Sequence, residues 1–199
     1  MSTEIALVHG QYYHIYNRGN NGEHLFREVR NYPYFLQLYA EYIEPVAETY
    51  AYCLLGNHFH FLVRIKDWQS SERSEDCQSC SASRALSNLF STYTKAFNKA
   101  YERTGSLFEK PFKRKRVDED RYFNALVVYI HRNPQRHGLT DDFRDWPYSS
   151  YPTIRSTRPS RLQRATVMDW FQGSVGFESA HGIPEDEALL EPLIAGDWT

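Results

Sequence analysis

Apolar positions along the chain alternate with two different periods, and turn residues separate the stretches. Residues 11–17 alternate with period two and are rich in aromatic side chains, which predicts a strand. It runs into Arg18-Gly19-Asn20-Asn21-Gly22, a turn signal. Over residues 29–43, Tyr34, Phe35, Leu38, Tyr39 and Tyr42 fall near one helical stripe, and Pro45 closes the element. Residues 49–55 and 58–66 read as two strands joined by the Gly56-Asn57 turn. Residues 67–83 are polar and Ser-rich and read as a loop. A second helix is expected over 84–103, with Leu86, Leu89, Phe90, Tyr93, Phe97 and Tyr101 on its apolar face and Thr104-Gly105 as its stop. Residues 112–117 read as a short, charged edge strand. Asp118 is the expected cap of a third helix that ends where Pro134 follows Asn133. Trp146 to Tyr151 reads as a turn-rich anchor, and residues 163–171 as a short helix.

The order is strand, helix, strand, strand, helix, strand, with a helix following. That is the split βαβ pattern of ferredoxin-like folds, an α+β architecture in which helices pack on an antiparallel sheet. A chain of 199 residues fits one such domain with a small appendage.

Composition adds three points. Hydrophobic residues make up 41%, enough for a packed core, and 15 Tyr and 12 Phe are a high aromatic content for a soluble domain. Such rings fill cores and also stack on unpaired bases. Net charge is −2, yet residues 1–164 hold 23 basic and 18 acidic residues, and after Arg164 there are seven acids and no Lys or Arg. Lys110 to Arg136 alone carries eight basic residues against three acids, a lead toward nucleic acid. The acidic tail after Arg164 is a candidate screen for that basic face. With three cysteines, no disulfide framework is expected. The spacing Cys77-Gln78-Ser79-Cys80 is weak evidence for zinc or redox chemistry without a second pair. No apolar run spans a bilayer and no signal peptide is visible, so a cytoplasmic location without membrane contact is expected.

The candidate chemistry lies in two places. In Asn57-His58-Phe59-His60-Phe61, strand alternation puts His58 and His60 on one face, roughly 7 Å apart, with Phe59, Phe61, Val63 and Ile65 on the other. Such a pair is either hydrogen-bonded within a half-buried strand or convergent on a metal ion. In Tyr129-Ile130-His131-Arg132-Asn133, Tyr129 and Asn133 share a helical face beside the stripe of Phe123, Leu126, Val127 and Ile130. A tyrosine at the edge of a buried stripe is held firmly and still reaches a cleft. Tyr93, Tyr101 and Tyr122 remain rivals by spacing alone.

Together with Tyr16-Asn17-Arg18-Gly19-Asn20-Asn21 and Trp146-Pro147-Tyr148-Ser149-Ser150-Tyr151, these motifs resemble the HUH-type single-tyrosine transposases, and most closely the REP-associated tyrosine transposases. The resemblance covers roughly residues 10–152. It implies a catalytic domain over 1–152 and a C-terminal extension over 153–199. It also implies Tyr129 as nucleophile and a divalent cation, Mg²⁺ or Mn²⁺, held by His58, His60 and Asn133. The expected substrate is single-stranded DNA beside a hairpin, cleaved through a 5′-phosphotyrosine by a monomer or homodimer, in the bacterial cytoplasm and on the nucleoid. Arg18 and Asn20, which otherwise form a simple polar turn, and Lys110, Lys113, Arg114, Lys115 and Arg116 are the candidate DNA contacts. The alternatives are a silent hairpin-binding module on the same fold and a metal-dependent phosphoesterase using water.

Overall fold

Four strands form one antiparallel sheet in the order β2-β3-β1-β4, from β1 (Tyr12–Arg18), β2 (Ala47–Leu54), β3 (His58–Ile65) and β4 (Lys113–Val117). The computed structural model describes residues 5–67, 78–118, 120–183 and 187–194. Helices α1 (Asn31–Tyr42) and α2 (Gln78–Ala100) connect the strands as a split βαβ unit, the expected α+β ferredoxin-like arrangement. Helix α3 (Asp120–Arg136) follows, then α4 (Tyr151–Arg155), α5 (Arg164–Trp170), α6 (Ser174–His181) and α7 (Glu187–Ile194).

The period-two pattern of the strands decides which residues meet which layer. Tyr13, Ile15, Phe59, Phe61, Val63 and Ile65 join α1 and α2 in one apolar cluster. There Phe61 stacks on Tyr39 with ring centroids 4.3 Å apart and is 2% exposed. Truncating a phenyl ring so enclosed to alanine costs about 3–5 kcal/mol. The opposite face is also covered. Leu62, Val117, Leu126, Val127, Ile130 and Phe177 belong to a second cluster beneath α3 and the C-terminal helices. The sheet is thus the middle layer of three, which explains why β3 is buried on both faces except at Arg64.

Two expectations are corrected. The expected loop over 67–83 gives way to α2, which starts at Gln78. Ala82, 1% exposed, carries the apolar stripe one turn further back, and so small a side chain does not stand out in the sequence. Helix α3 is described from Asp120, and residue 119 lies outside the described residues. Its C-terminal end passes through Pro134 to Arg136. A proline in the last turn removes only its own amide, and the ladder resumes with the His137 amide donating to the Asn133 carbonyl at 3.0 Å. Cys77 and the Cys80 side chain lie outside the described residues.

The Trp146–Tyr151 segment anchors the edge of the sheet at β2. Trp146 Nε1 donates to the Leu54 carbonyl at 2.9 Å, and the Ser150 amide donates to the Tyr52 carbonyl at 2.9 Å. Tyr148 stacks on Tyr32 with centroids 3.6 Å apart.

Candidate active site

The register of β1 against β3 assembles one face. Arg18 lies opposite His58, Tyr16 opposite His60, and His14 opposite Leu62. On the other side of β1, Lys113 lies opposite Tyr16 and Lys115 opposite His14. Partners in an antiparallel pair share a face, so His14, Tyr16, Arg18, His58, His60, Lys113 and Lys115 all point toward α3. Arg114 and Arg116 point the other way. Arg114 donates to Ser83 Oγ at 3.4 Å, and Arg116 sits 3.8 Å from Asp118.

Helix α3 crosses above this face. The Tyr129 ring stands perpendicular to His60, with centroids 5.7 Å apart, and to His14 at 6.3 Å. Two turns on, His137 meets His58 at 4.6 Å between ring centroids. Asn133 lies between these two contacts on the same side of the helix. Its Nδ2 donates to the Tyr129 carbonyl at 2.9 Å, while its Oδ1 is buried with no hydrogen-bond partner among the described residues. Such an orphaned oxygen costs roughly 1–3 kcal/mol unless something outside the chain satisfies it.

The histidines are fixed by their inner nitrogens. His58 Nδ1 donates to Asn57 Oδ1 at 2.7 Å, which leaves Nε2 as the lone-pair nitrogen. His60 Nδ1 is 3.1 Å from His14 Nε2, and a proton on either nitrogen satisfies that contact. Burial holds both imidazoles neutral, and nearby cations add to it. The His58 pKa falls to about 2, with His60, His137 and Arg18 contributing after desolvation. His60 is pushed well down by burial and then by His14, His137 and Arg136. Two neutral imidazoles and an amide oxygen are a donor set that fits Mn²⁺ or Mg²⁺. Among the described residues no group of three His, Cys, Asp or Glu could hold a metal.

The first turn brings Arg18 to this face by close packing. A Cβ on Gly19 would meet the Glu23 carbonyl oxygen at 2.0 Å, so only glycine fits there. The Gly19 amide donates to the Asn57 carbonyl at 2.9 Å, tying the turn to the histidine strand. Asn20 does not face the histidines; its Nδ2 donates to the Ser106 carbonyl at 2.9 Å.

Four neighbours of the site were missed by sequence reasoning: His14, Tyr16, Arg136 and His137. The alternation of residues 11–17 already places His14 and Tyr16 on one face, and the same alternation was the available signal. Arg136 and His137 were hidden by Pro134, which reads as a stop. With α3 continuing, the Arg136 guanidinium lies 5.2 Å from the centroid of the Tyr129 ring. Tyr129 itself is 2% exposed, more enclosed than a residue at the edge of a buried stripe.

The antiparallel sheet with its packed helices is the fold of a solved REP-associated tyrosine transposase. The solved structure of such a transposase bound to a REP hairpin matches with a TM-score of 0.61 and 16% identity, over 80% of this chain and 88% of that one. A REP-associated tyrosine transposase of Haemophilus influenzae is 24% identical over 106 residues, 52% of this chain. The match spans 58% of that relative's length. No family model matches the sequence. The likeness expected from the motifs is therefore found in both sequence and fold.

Proposed function

We propose that this protein cleaves single-stranded DNA next to a hairpin, with Tyr129 as the nucleophile. The observation that carries the reading is the convergence of Tyr129, His60, His58 and the orphaned Asn133 oxygen under one helix. The solved relative's REP hairpin supports hairpin DNA as the partner. The Tyr129 oxygen attacks a backbone phosphorus, the bond from phosphorus to the 3′ oxygen breaks, and that oxygen leaves as a 3′-OH. The 5′ phosphate stays on the tyrosine, and a second 3′-OH can displace it to join strands. His58, His60 and Asn133 would hold a divalent cation, whose chemistry there is to polarise a non-bridging phosphate oxygen. Arg18, Lys113 and Lys115 neutralise the strand on the same face, and Arg136 lies against the Tyr129 ring, where its charge also favours an approaching phosphate. Among the described residues no helix is long and apolar enough to cross a membrane, and we place the activity in the cytoplasm, on the nucleoid.

A denaturing gel with hairpin-containing single strands and Mn²⁺ or Mg²⁺ tests this. Wild-type protein should form a metal-dependent covalent adduct, and Tyr129→Phe should form none. Cleavage undiminished in Tyr129→Phe would instead indicate a phosphoesterase that uses water.

A further inference from the structure

Ser83, Ser87, Ser91 and Lys95 recur at four-residue spacing and so form one row along α2. Facing that row is the segment 105–114, with Phe108, Lys110, Phe112 and Arg114. Between the two walls runs a groove of about 950 Å³, also lined by Asn17 and Phe90. Asn98 Nδ2 donates to the Gly105 carbonyl at 2.9 Å and ties the walls together. This groove lies on the face of the sheet away from Tyr129 and plays no part in the site described above.

Its chemistry narrows the occupant. Lys95, Lys110 and Arg114 line it against one acid, Glu109. A protein partner asks for a charge-depleted patch with accessible aromatic anchors. Here Phe90 and Phe108 are buried, and the serine hydroxyls, the Asn98 amide and the three cations stand along the walls beside apolar surface. Such groups spaced along a trench suit the phosphates and sugars of a flexible polyanion. Phe112, half-buried with the Arg114 guanidinium 4.7 Å from its ring centroid, offers a flat platform for a base.

β4 supplies the path. Arg114 faces the groove while Lys113 and Lys115 face the tyrosine side, so cations flank both faces of the edge strand. We propose that the groove binds unpaired DNA, which crosses the β4 edge to bring its scissile phosphate to the tyrosine face. This rests on the reading of Tyr129 given above.

Fluorescence anisotropy with a labelled linear oligo-dT and a labelled hairpin without flanks tests it. Lys95→Glu/Lys110→Glu changes two exposed side chains outside the tyrosine site. It should weaken the linear strand by at least about tenfold and flatten its log–log salt slope by about 1.4, the value for two lost phosphate contacts. The blunt hairpin should bind as in wild type. The charge-matched Arg158→Glu/Arg161→Glu, outside the groove, should leave linear-strand affinity nearly unchanged. Equal weakening in both double variants would reduce the effect to net charge and overturn the proposal. Unaltered linear-strand binding in the groove variant would do the same, as would loss of the blunt hairpin alone. Binding is read without cleavage, so a failed groove and a failed nucleophile give separate results.

Discussion

At the scale of single residues, Tyr129 poses the question of access. Its ring is enclosed by His14, His60 and Arg136, and only the last is attached to a flexible stem at the end of a helix. A guanidinium on an enclosed aromatic face contributes about 2 kcal/mol, comparable to the charge-assisted bond that a phosphate would offer the same guanidinium. Arg136→Ala should therefore speed nitration of Tyr129 several-fold, mapped by mass spectrometry, without loss of fold by circular dichroism. An unchanged rate would assign the cover to another group. The common face of His58 and His60 was legible from alternation alone, as was the shared face of Tyr129 and Asn133. His14 was not, because its meaning comes from a partner 46 residues away, and a one-residue change of register would have turned it to the other layer.

Among the elements, α6 is fastened to α3 by polar contacts inside an apolar layer. His131 Nδ1 and His181 Nε2 are 2.8 Å apart, His131 Nε2 is 2.7 Å from Ser150 Oγ, and His181 Nδ1 donates to the Phe177 carbonyl at 2.7 Å. Burial lowers the His181 pKa to about 4, against the pull of the Phe177 carbonyl, with Arg132 and Arg144 adding to the depression. The unfolded chain, with an imidazole near 6.5, takes up the proton first. Stability is then complete above about pH 6.5 and is lost as pH falls toward about 4. His181 alone should account for about 2 kcal/mol between pH 7.5 and 5, the same direction as buried His131. Urea titrations of wild type and His181→Asn at the two pH values should show a smaller pH difference in the variant. A parallel loss in both would place the sensitivity elsewhere. The motif containing Ser150 was readable as an anchor, whereas its link to α6 was not, since nothing in the local pattern pairs residues 131, 150 and 181.

For the molecule as a whole, strand order and layering were legible because each strand carries its own alternation and each helix its own stripe. The second apolar layer was harder to see. Its members, from Leu62 to Phe177, are spread over elements that each look half-polar alone. Edge strand β4 also bears on assembly. Lys113 and Arg116 are exposed on it and discourage another sheet from adding to that edge. Lys113→Val/Arg116→Val should show stronger concentration-dependent association than wild type by analytical ultracentrifugation; an unshifted variant would show that these charges do not govern association. Finally, β1 sits between β3 and β4, so its two neighbours come from far along the chain, at His58–Ile65 and Lys113–Val117. During synthesis the first strand waits for the last, because long-range pairings close late. The β2–β3 hairpin is local and can form early, but the wall bearing His14 is sealed only when β4 arrives. A chain released before that point has both histidines of the HxH strand but lacks β4, α3 and the proposed nucleophile Tyr129, so the histidine wall is made long before the helix that completes the site.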